Sequence, residues 1–263
     1  MSNQLFDSAA SFSLSSWKVG VNRLNMALSH SPSIVTNGLT VLLDSMNPRS
    51  YPGTGNIWYD VSGNNNHGTM TNFTGPSAGS TSGYDTTTKW MMFDRHLGAS
   101  ESNVNNVVNI TNSTSLQDCL CQNGMSVSIW MRITTAVCTA TTKWDGSWEV
   151  YYCPSLVFRT QGTGGNDGVA SGYNYTNTLN LWQNVTATHD GTTRKIYYNG
   201  VEVFSDTNVV TSQNTTNPVS IGGYSNGNYA FIGAIPYYSL YNRAITSTEI
   251  LQNFNAIRGR FGI

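Results

Sequence analysis

Hydrophobic and polar residues follow a strand-and-turn pattern from residue 38 onward. The clearest segment is 125–133, where every second residue is apolar, and this alternation predicts a β-strand buried on one side. The apolar positions on that side are Met125, Val127, Ile129, Met131 and Ile133. Short apolar runs on either side of Asn199-Gly200 predict a β-hairpin, and Asp145-Gly146 indicates another. Further strands are predicted at residues 39–43, 57–59, 90–93, 148–152, 156–158, 182–188, 219–221, 230–235 and 237–241.

The C-terminal part of the chain is the one segment that predicts a helix. Apolar residues recur there at helical spacing, at Ile250, Leu251, Phe254 and Ile257. Ser247 is the expected N-cap, Glu249 suits the first turn because its charge complements the helix dipole, and Gly259 should end the helix. Many strands followed by one terminal helix indicate an all-β fold, an antiparallel sandwich.

Residues 1–36 differ from the rest, because Asn, Ser and Ala dominate and apolar residues are scattered. We predict an extended N-terminal arm over residues 1–36 and a sandwich over residues 37–263. Phe6, Phe12 and Trp17 are the candidate assembly contacts, since an arm with separated apolar residues needs a surface to lie on. That surface belongs either to its own sandwich or to another subunit; the alternative is a disordered terminal tail.

The composition of the chain limits the kinds of molecule that it is expected to bind. Charged residues make up 10% of the chain, against about 25% in an average soluble protein, and the formal net charge is -1. No basic field exists that would attract nucleic acid. A neutral surface rich in Asn, Thr, Ser and aromatic residues suits contact with sugars or with a neighbouring protein, although loop-rich β proteins share this composition.

Targeting signals are not visible in the sequence. No segment approaches the roughly 20 consecutive apolar residues of a membrane-spanning helix. Residues 1–12 lack the basic head and the continuous apolar stretch of a secretory signal. We therefore expect a protein that is made and kept in a cytoplasm, or that leaves it within a released particle.

The four cysteines do not have the spacing of a zinc site. Cys138 and Cys153 lie symmetrically about Asp145-Gly146, so a hairpin at that turn would bring them opposite each other. A disulfide bond is then geometrically possible, and a pair of buried free thiols is the alternative for a protein assembled in a cytoplasm.

Several segments of the chain resemble one known family. Gly38-Leu-Thr-Val-Leu-Leu-Asp-Ser45 and Trp58-Tyr-Asp-Val-Ser-Gly-Asn-Asn-Asn-His-Gly-Thr69 resemble the opening and the signature loop of laminin-G-like concanavalin A domains. Residues 182–203, with the turn Tyr197-Tyr-Asn-Gly200, and residues 231–250 resemble the later hairpin and the closing strand and helix. The resemblance implies a jelly roll of about 12 strands in two antiparallel sheets. It also implies a domain that binds glycans or proteins, in some members with calcium.

The end of the chain, residues 253–263, is similar to the ends of structural proteins of tailed bacteriophages. This resemblance implies a virion structural protein, a capsid decoration or cement subunit or a surface fibre, assembled in the host cytoplasm and located in the virion. Its partners would be other virion proteins such as the major capsid protein, and copies of itself in a homo-oligomer. The alternative function is a glycan-binding, lectin-like adhesion module that contacts host surface glycans.

One departure from the family pattern concerns calcium. Pro236-Tyr237 stand where many family members carry acidic residues, and calcium requires several oxygen ligands. Asp44, Asp60 and residues 64–66 remain as possible donors, but Asp60 is equally explained as a turn residue that bonds its own backbone. We expect no cofactor and no metal, with a structural calcium as the alternative.

The sequence does not indicate an enzyme. Glycoside hydrolysis needs two carboxylates on either side of the scissile bond, and the acidic residues are few and separate. Glu149 alternates with Trp148 and Val150, so we expect it on a strand as a solvated charge. The four histidines are dispersed, and a nucleophile motif is absent.

Aromatic residues near predicted turns are the remaining candidates for a binding site. The candidate glycan or protein contacts are Trp144, Asp145, Trp148, Tyr173, Tyr175, Tyr224 and Tyr229. Exposed aromatic rings stack on sugars and equally serve protein interfaces, and the tryptophans could instead cover a sheet edge. These three roles stay open at this point.

Overall fold

The computed structural model describes residues 32–73, 82–94, 106–134, 138–143, 147–152, 155–162, 165–174, 178–211 and 216–263, with the backbone alone for residues 138 and 165–174. These residues form two eight-stranded antiparallel sheets packed face to face, which confirms the predicted sandwich. In this part of the chain, no helix combines the length and the hydrophobicity needed to cross a bilayer.

The first sheet is built from strands that lie far apart in the sequence. Its members are β1 (Leu39–Asp44), β4 (Gly83–Tyr84), β5 (Met91–Phe93), β7 (Met125–Ile133), β12 (Trp182–His189), β13 (Thr193–Tyr198), β14 (Val201–Thr207) and β16 (Gly233–Tyr241). Their spatial order is β14-β13-β12-β7-β16-β5-β4, and β1 also pairs with β16.

The second sheet contains the other described strands. They are β2 (Ile57–Trp58), β3 (Gly68–Thr71), β6 (Val107–Ile110), β8 (Cys138–Lys143), β9 (Trp148–Tyr152), β10 (Ser155–Gly162), β11 (Gly165–Asn174) and β15 (Val219–Ile221). Their order is β11-β10-β9-β8-β15-β6-β3-β2. The described strands exceed the expected 12 or so because six of them are only two to four residues long.

The core lies between the two sheets and follows from the period-two alternation. The five apolar residues of β7 that the sequence assigned to one side are all buried in this core. From the second sheet, Trp148, Val150 and Tyr152 of β9 point into the same interior. Each such side chain contributes roughly 1.5–3 kcal/mol when its apolar surface leaves water.

The outer side of β7 is buried as well, which differs from the half-buried strand that the alternation predicts. Trp130 lies under the C-terminal segment, with its ring centroid 4.5 Å from that of Phe261 and 5.5 Å from that of Phe254. Ser128 is buried against β12, where Thr186 Oγ1 donates a hydrogen bond to its hydroxyl. The alternation of apolar and polar residues along one strand cannot reveal that a distant segment of the chain packs on its outer side.

The terminal helix, α2 (Ser247–Ile257), begins one residue earlier than predicted. Thr246, not Ser247, is the N-cap: its hydroxyl accepts from Glu249 N, and Glu249 Oε2 accepts from Thr246 N at 2.8 Å. This reciprocal capping box needs a Glu three residues after the cap, a spacing that Ser247 does not have. A 3₁₀ turn over Arg258–Phe261 follows, so Gly259 lies inside that turn. The other α-helix among the described residues, α1 (Thr114–Gln117), is a single turn.

The predicted hairpin at Asn199-Gly200 connects β13 and β14. Both residues have positive φ, 49° for Asn199 and 81° for Gly200, as a type I′ turn requires. Gly200 also leaves room for α2, because a Cβ there would lie 3.2 Å from the Phe254 ring. The prediction from this dipeptide is confirmed.

Candidate functional site

A loop of residues 222–230 lies on the outer side of the second sheet and carries two of the predicted tyrosines. Backbone hydrogen bonds fix both ends of the loop to β8. Gly222 N donates to Ala140 O at 2.9 Å, and Thr139 N donates to Tyr229 O at 3.0 Å. The pairing of β8 with β9 is irregular at these same residues, so the bulge and the loop form one unit.

Tyr224 and Tyr229 contact each other within this loop. Their ring centroids are 4.9 Å apart and the rings are tilted by 46°. Tyr229 is 64% exposed and has a φ of 54°, a conformation uncommon for a residue other than glycine. Tyr224 is half-buried, and its hydroxyl donates to Glu149 Oε2 at 3.3 Å. The loop therefore presents one exposed ring, supported by a second ring that is anchored to the sheet.

Glu149 lies beneath these rings and is only 2% exposed. Thr139 Oγ1 donates to Glu149 Oε1 at 2.8 Å, and Arg159 Nη1 lies 3.4 Å from Oε2. Burial raises the pKa of the Glu149 carboxyl, against the opposing effects of Thr139, Arg159 and Tyr224. The expectation of a solvated charge is wrong, because the loop and Arg159 cover a side chain that does point out of the core.

Arg159 connects Glu149 to a third tyrosine. It lies on β10 directly opposite Glu149, with its guanidinium carbon 4.7 Å from the ring centroid of Tyr151. Arg159 Nη2 also donates to Tyr151 OH at 2.9 Å. We define the tyrosine patch as Tyr151, Arg159, Tyr224 and Tyr229 around Glu149. Its rings can stack on an apolar surface, and its guanidinium and hydroxyl groups can hydrogen-bond a polar ligand.

Comparison with known families identifies the fold. A family model of the concanavalin A-like lectin/glucanases superfamily matches residues 101–251, more than half of the chain. The chain belongs to this superfamily. The matched segment contains the whole tyrosine patch, and the resemblance to laminin-G-like concanavalin A domains is confirmed. No curated protein matches the chain.

Solved structures similar to this superfamily member include toxin binding domains. The binding domain of Paraclostridial Mosquitocidal Protein 1 has a TM-score of 0.60 and 16% identity over 84% of this chain and 52% of its own. A second structure has a title stating that cell entry of botulinum neurotoxin type C depends on interaction with two ganglioside molecules. It has a TM-score of 0.56 and 13% identity over 85% of this chain and 52% of its own. The binding domain of botulinum neurotoxin DC in complex with SialylT has a TM-score of 0.55 and 12% identity, covering 84% and 52%. The chain spans about half the length of these structures, and the likeness shows the fold alone.

Trp148 does not reach the surface of this lectin-like fold. Its side chain is fully buried in the core, and its indole N–H donates to Cys119 O at 3.1 Å. It therefore cannot contact a glycan or a protein partner directly, unlike Tyr224 and Tyr229, which the structure brings together. Tyr173 belongs to β11, of which only the backbone is described. The other candidates, Trp144, Asp145, Tyr175, Phe6, Phe12 and Trp17, lie outside the described residues.

Two members of the tyrosine patch were missed by the sequence reasoning. Tyr151 follows Glu149 by two residues, so the alternation of β9 already puts both on one side. Arg159 directly follows the apolar run 156–158, and a charged residue within a strand indicates a side chain that points out of the core. Both signals were available, but neither indicates which loop covers the strand.

The carboxylates proposed as calcium donors both have structural roles. Asp60 Oδ1 accepts from Leu42 N at 2.8 Å and from Ser62 N at 2.9 Å, as a turn-forming residue does. Both oxygens of Asp44 accept from Arg260, at 2.6 and 2.9 Å. Among the described residues, no group of three or more His, Cys, Asp or Glu side chains is placed to hold a metal ion.

The described cysteine side chains are buried thiols. The side chains of Cys119 and Cys121 are buried, and burial raises the pKa of the Cys119 thiol to about 12. The cross-strand partner of Cys138 is Tyr152, while Cys153 lies outside the described residues. Both alternatives for Cys138 and Cys153, a disulfide bond and a pair of buried free thiols, stay predictions.

Lys143 is a buried cation in the interior of the sandwich. Its side chain is fully buried at the end of β8, and its Nζ donates to Asn112 Oδ1 and to Asn217 O, each at 2.9 Å. Burial lowers the pKa of Lys143 to about 8. Sequence reasoning missed this residue because the bulge in β8 turns it inward.

Proposed function

We propose that this domain binds a glycan on the tyrosine patch. The observation that carries the proposal is the rigid presentation of Tyr229, which is 64% exposed and supported by Tyr224 at 4.9 Å between ring centroids. A ring held in advance loses little conformational entropy on binding, and its face can stack on the C–H face of a sugar.

The polar part of the tyrosine patch suits sugar hydroxyls. Arg159 is 25% exposed at its side chain and is fixed by Tyr151, so its N–H groups have a defined direction. A few oriented polar groups among aromatic rings are typical of sites that bind small ligands. The titles of two similar structures, which name ganglioside molecules and SialylT, support the glycan as ligand class.

A glycan array tests this function. We expect the wild-type protein to bind a defined set of glycans, and Tyr229→Ala to weaken that binding by about tenfold or more, because an aromatic contact at an interface centre contributes roughly 1–2 kcal/mol. Tyr59→Ala is the matched control, since Tyr59 is also exposed, at 40%, but lies in the loop after β2. Equal binding by Tyr229→Ala and wild type would overturn the role of the patch.

We further propose that the protein is a virion structural subunit, a capsid decoration, cement or fibre protein with a glycan-binding domain. The support is the similarity of residues 253–263 to tailed-phage structural proteins and the apolar pattern of the arm. Partners would be other virion proteins and further copies of the chain.

Contacts between residues 32–36 and α2 determine where a deletion of the arm should end. Ser33 O accepts from Gln252, and Val35 N donates to Asn253 Oδ1 at 2.7 Å, so residues 32–36 contact α2 and should be kept. Removing residues 1–31 should leave a folded domain that no longer joins particles, as measured by copy number per virion. Normal incorporation of the truncated protein would contradict the tether role, and Tyr229→Ala should be incorporated normally.

The proposal assigns no catalytic activity to the site. In the described part of the chain, the groups that act on Glu149 are Thr139, Arg159 and Tyr224, none of which is a carboxylate. Glycosidases place a second carboxyl about 5–5.5 Å or 6.5–9.5 Å from the first. We expect no hydrolysis of any glycan that the array identifies; release of reducing ends that Glu149→Gln abolishes would contradict this.

A further inference from the structure

A concave site lies at one end of the first sheet, on its outer side. It is a cavity of about 420 Å³ that opens to solvent, within the range of roughly 300–1,000 Å³ typical of small-ligand sites. Its lining includes Arg132, Asn180, Leu181, Trp182, Asn199 and Phe261. We call it the Trp182 pocket, and it shares no residue with the tyrosine patch.

The aromatic wall of the pocket is held in place by a row of ring contacts. Trp182 lies 4.6 Å from Phe261 and 4.6 Å from Trp90 between ring centroids, and Phe261 in turn lies 4.5 Å from Trp130. Leu181 extends the wall and is 56% exposed. The wall is therefore rigid, apolar and accessible.

Arg132 supplies the charge of the pocket. It is the cross-strand partner of Trp182, and its Nε donates to Asn180 O at 2.9 Å, which fixes the plane of the guanidinium. Arg132 is the only charged side chain among the described residues that line the cavity. An anionic group is thus electrostatically complementary to this site, and the planar guanidinium fork matches the geometry of a carboxylate.

We propose that the Trp182 pocket binds a pyranose ring that carries a carboxylate. The ring would stack on the wall of Trp182 and Leu181, the carboxylate would pair with Arg132, and the side-chain amides of Asn180 and Asn199 would bond hydroxyls. This site does not depend on glycan binding at the tyrosine patch.

The test compares two ligands that differ only in the carboxylate, methyl glucuronide and methyl glucoside, titrated into the full chain and followed by NMR. The glucuronide should bind at least tenfold more tightly, and raised salt should reduce the difference, because the charge pair is partly exposed. The methyl glycoside of N-acetylneuraminic acid, titrated in parallel, shows whether sialic or uronic acids fit better. Arg132→Gln should bring both acidic sugars to the affinity of the glucoside.

A second variant keeps the test decisive if Arg132→Gln fails to fold. Leu181→Asp changes an exposed residue and places a repelling charge at the mouth of the pocket, so it should lower glucuronide affinity at least tenfold. Tyr229→Ala should leave this affinity unchanged, which separates the pocket from the tyrosine patch. Equal affinity for glucuronide and glucoside, or unchanged glucuronide binding by Leu181→Asp, would overturn the proposal.

Discussion

At the scale of single residues, Lys143 makes the free energy of unfolding vary with pH in the alkaline range. Its pKa is lowered from 10.5 to about 8, so the stability that its neutral form contributes is present above pH 10.5 and is lost as the pH falls through 8. Relative to Lys143→Met, the wild type should gain roughly 3 kcal/mol as the pH rises across this window. Urea unfolding of both proteins from about pH 7 to about pH 11 measures the difference.

A surface lysine provides the control for this prediction. Lys195 lies at the surface and forms an exposed ion pair with Glu202, with 3.0 Å between Lys195 Nζ and Glu202 Oε2. Lys195→Met should therefore differ from the wild type by a nearly constant amount over the same pH range. Identical pH profiles for Lys143→Met and Lys195→Met would show that Lys143 is not buried as described.

Glu149 should shape the pH dependence on the acidic side. Burial raises its pKa above the ordinary 4.5, so the stability linked to its protonation is fully present below 4.5 and is lost as the pH rises through the folded-state value. Glu149→Gln keeps the shape of the side chain without the charge. It should be more stable than the wild type at pH 7, and the two should converge towards pH 4 in thermal unfolding. A less stable Gln variant at pH 7 would mean that the ion pair with Arg159 outweighs burial.

These two residues also mark the limit of sequence reasoning at this scale. Alternation correctly put Glu149 on the opposite side from Trp148 and Val150, but solvation depends on a loop some seventy residues later. For Lys143, one bulge residue reverses the side on which a strand position lies, and bulges leave little signal in a single sequence. Tyr224 and Tyr229 could be nominated because they lie in a segment rich in glycine and asparagine.

At the scale of elements, the capping box should account for much of the stability at the start of α2. Thr246→Ala removes the hydroxyl that accepts from Glu249 N, and we expect a loss of about 1 kcal/mol in the free energy of unfolding. Thr248→Ala is the control: Thr248 is exposed within the helix, and alanine has the higher helix propensity, so stability should stay equal or rise slightly. Equal losses in the two variants would contradict the assignment of the cap.

The elements were predictable where a local chemical signal fixes them. Asn199-Gly200 requires the positive φ values that the structure shows, and the start of the helix was located to within one residue. The strand predicted at residues 219–221 is β15, with the same bounds. The short strand β4 was not predicted, because two residues do not reveal a period and depend on neighbours for pairing.

At the scale of the whole molecule, the sandwich could be predicted but the covering of its outer sides could not. The family pattern and the alternation specify two sheets, and the core between them follows from both. The row of rings that joins Trp90, Trp182 and Phe261 brings together residues from three distant parts of the chain. Such contacts depend on where the terminal segments pack on the sheets, and the hydrophobic periodicity of the sequence carries no information on that.

The C-terminal segment should therefore act as a structural part of the domain. Phe261 is 7% exposed and packs on Trp130 and Trp182, so Phe261→Ala leaves a cavity over the first sheet and should lower the free energy of unfolding by about 3 kcal/mol. Leu251→Ala, on the same segment but 46% exposed, should lower it by less than about 1 kcal/mol. Denaturant unfolding followed by tryptophan fluorescence measures both losses. The tryptophan emission of the folded protein should also shift to the red in Phe261→Ala alone, because the ring of Trp182 then faces water. If the two variants unfold at the same denaturant concentration, the segment only rests on the sheet, and the aromatic wall of the Trp182 pocket would lose its rigid support.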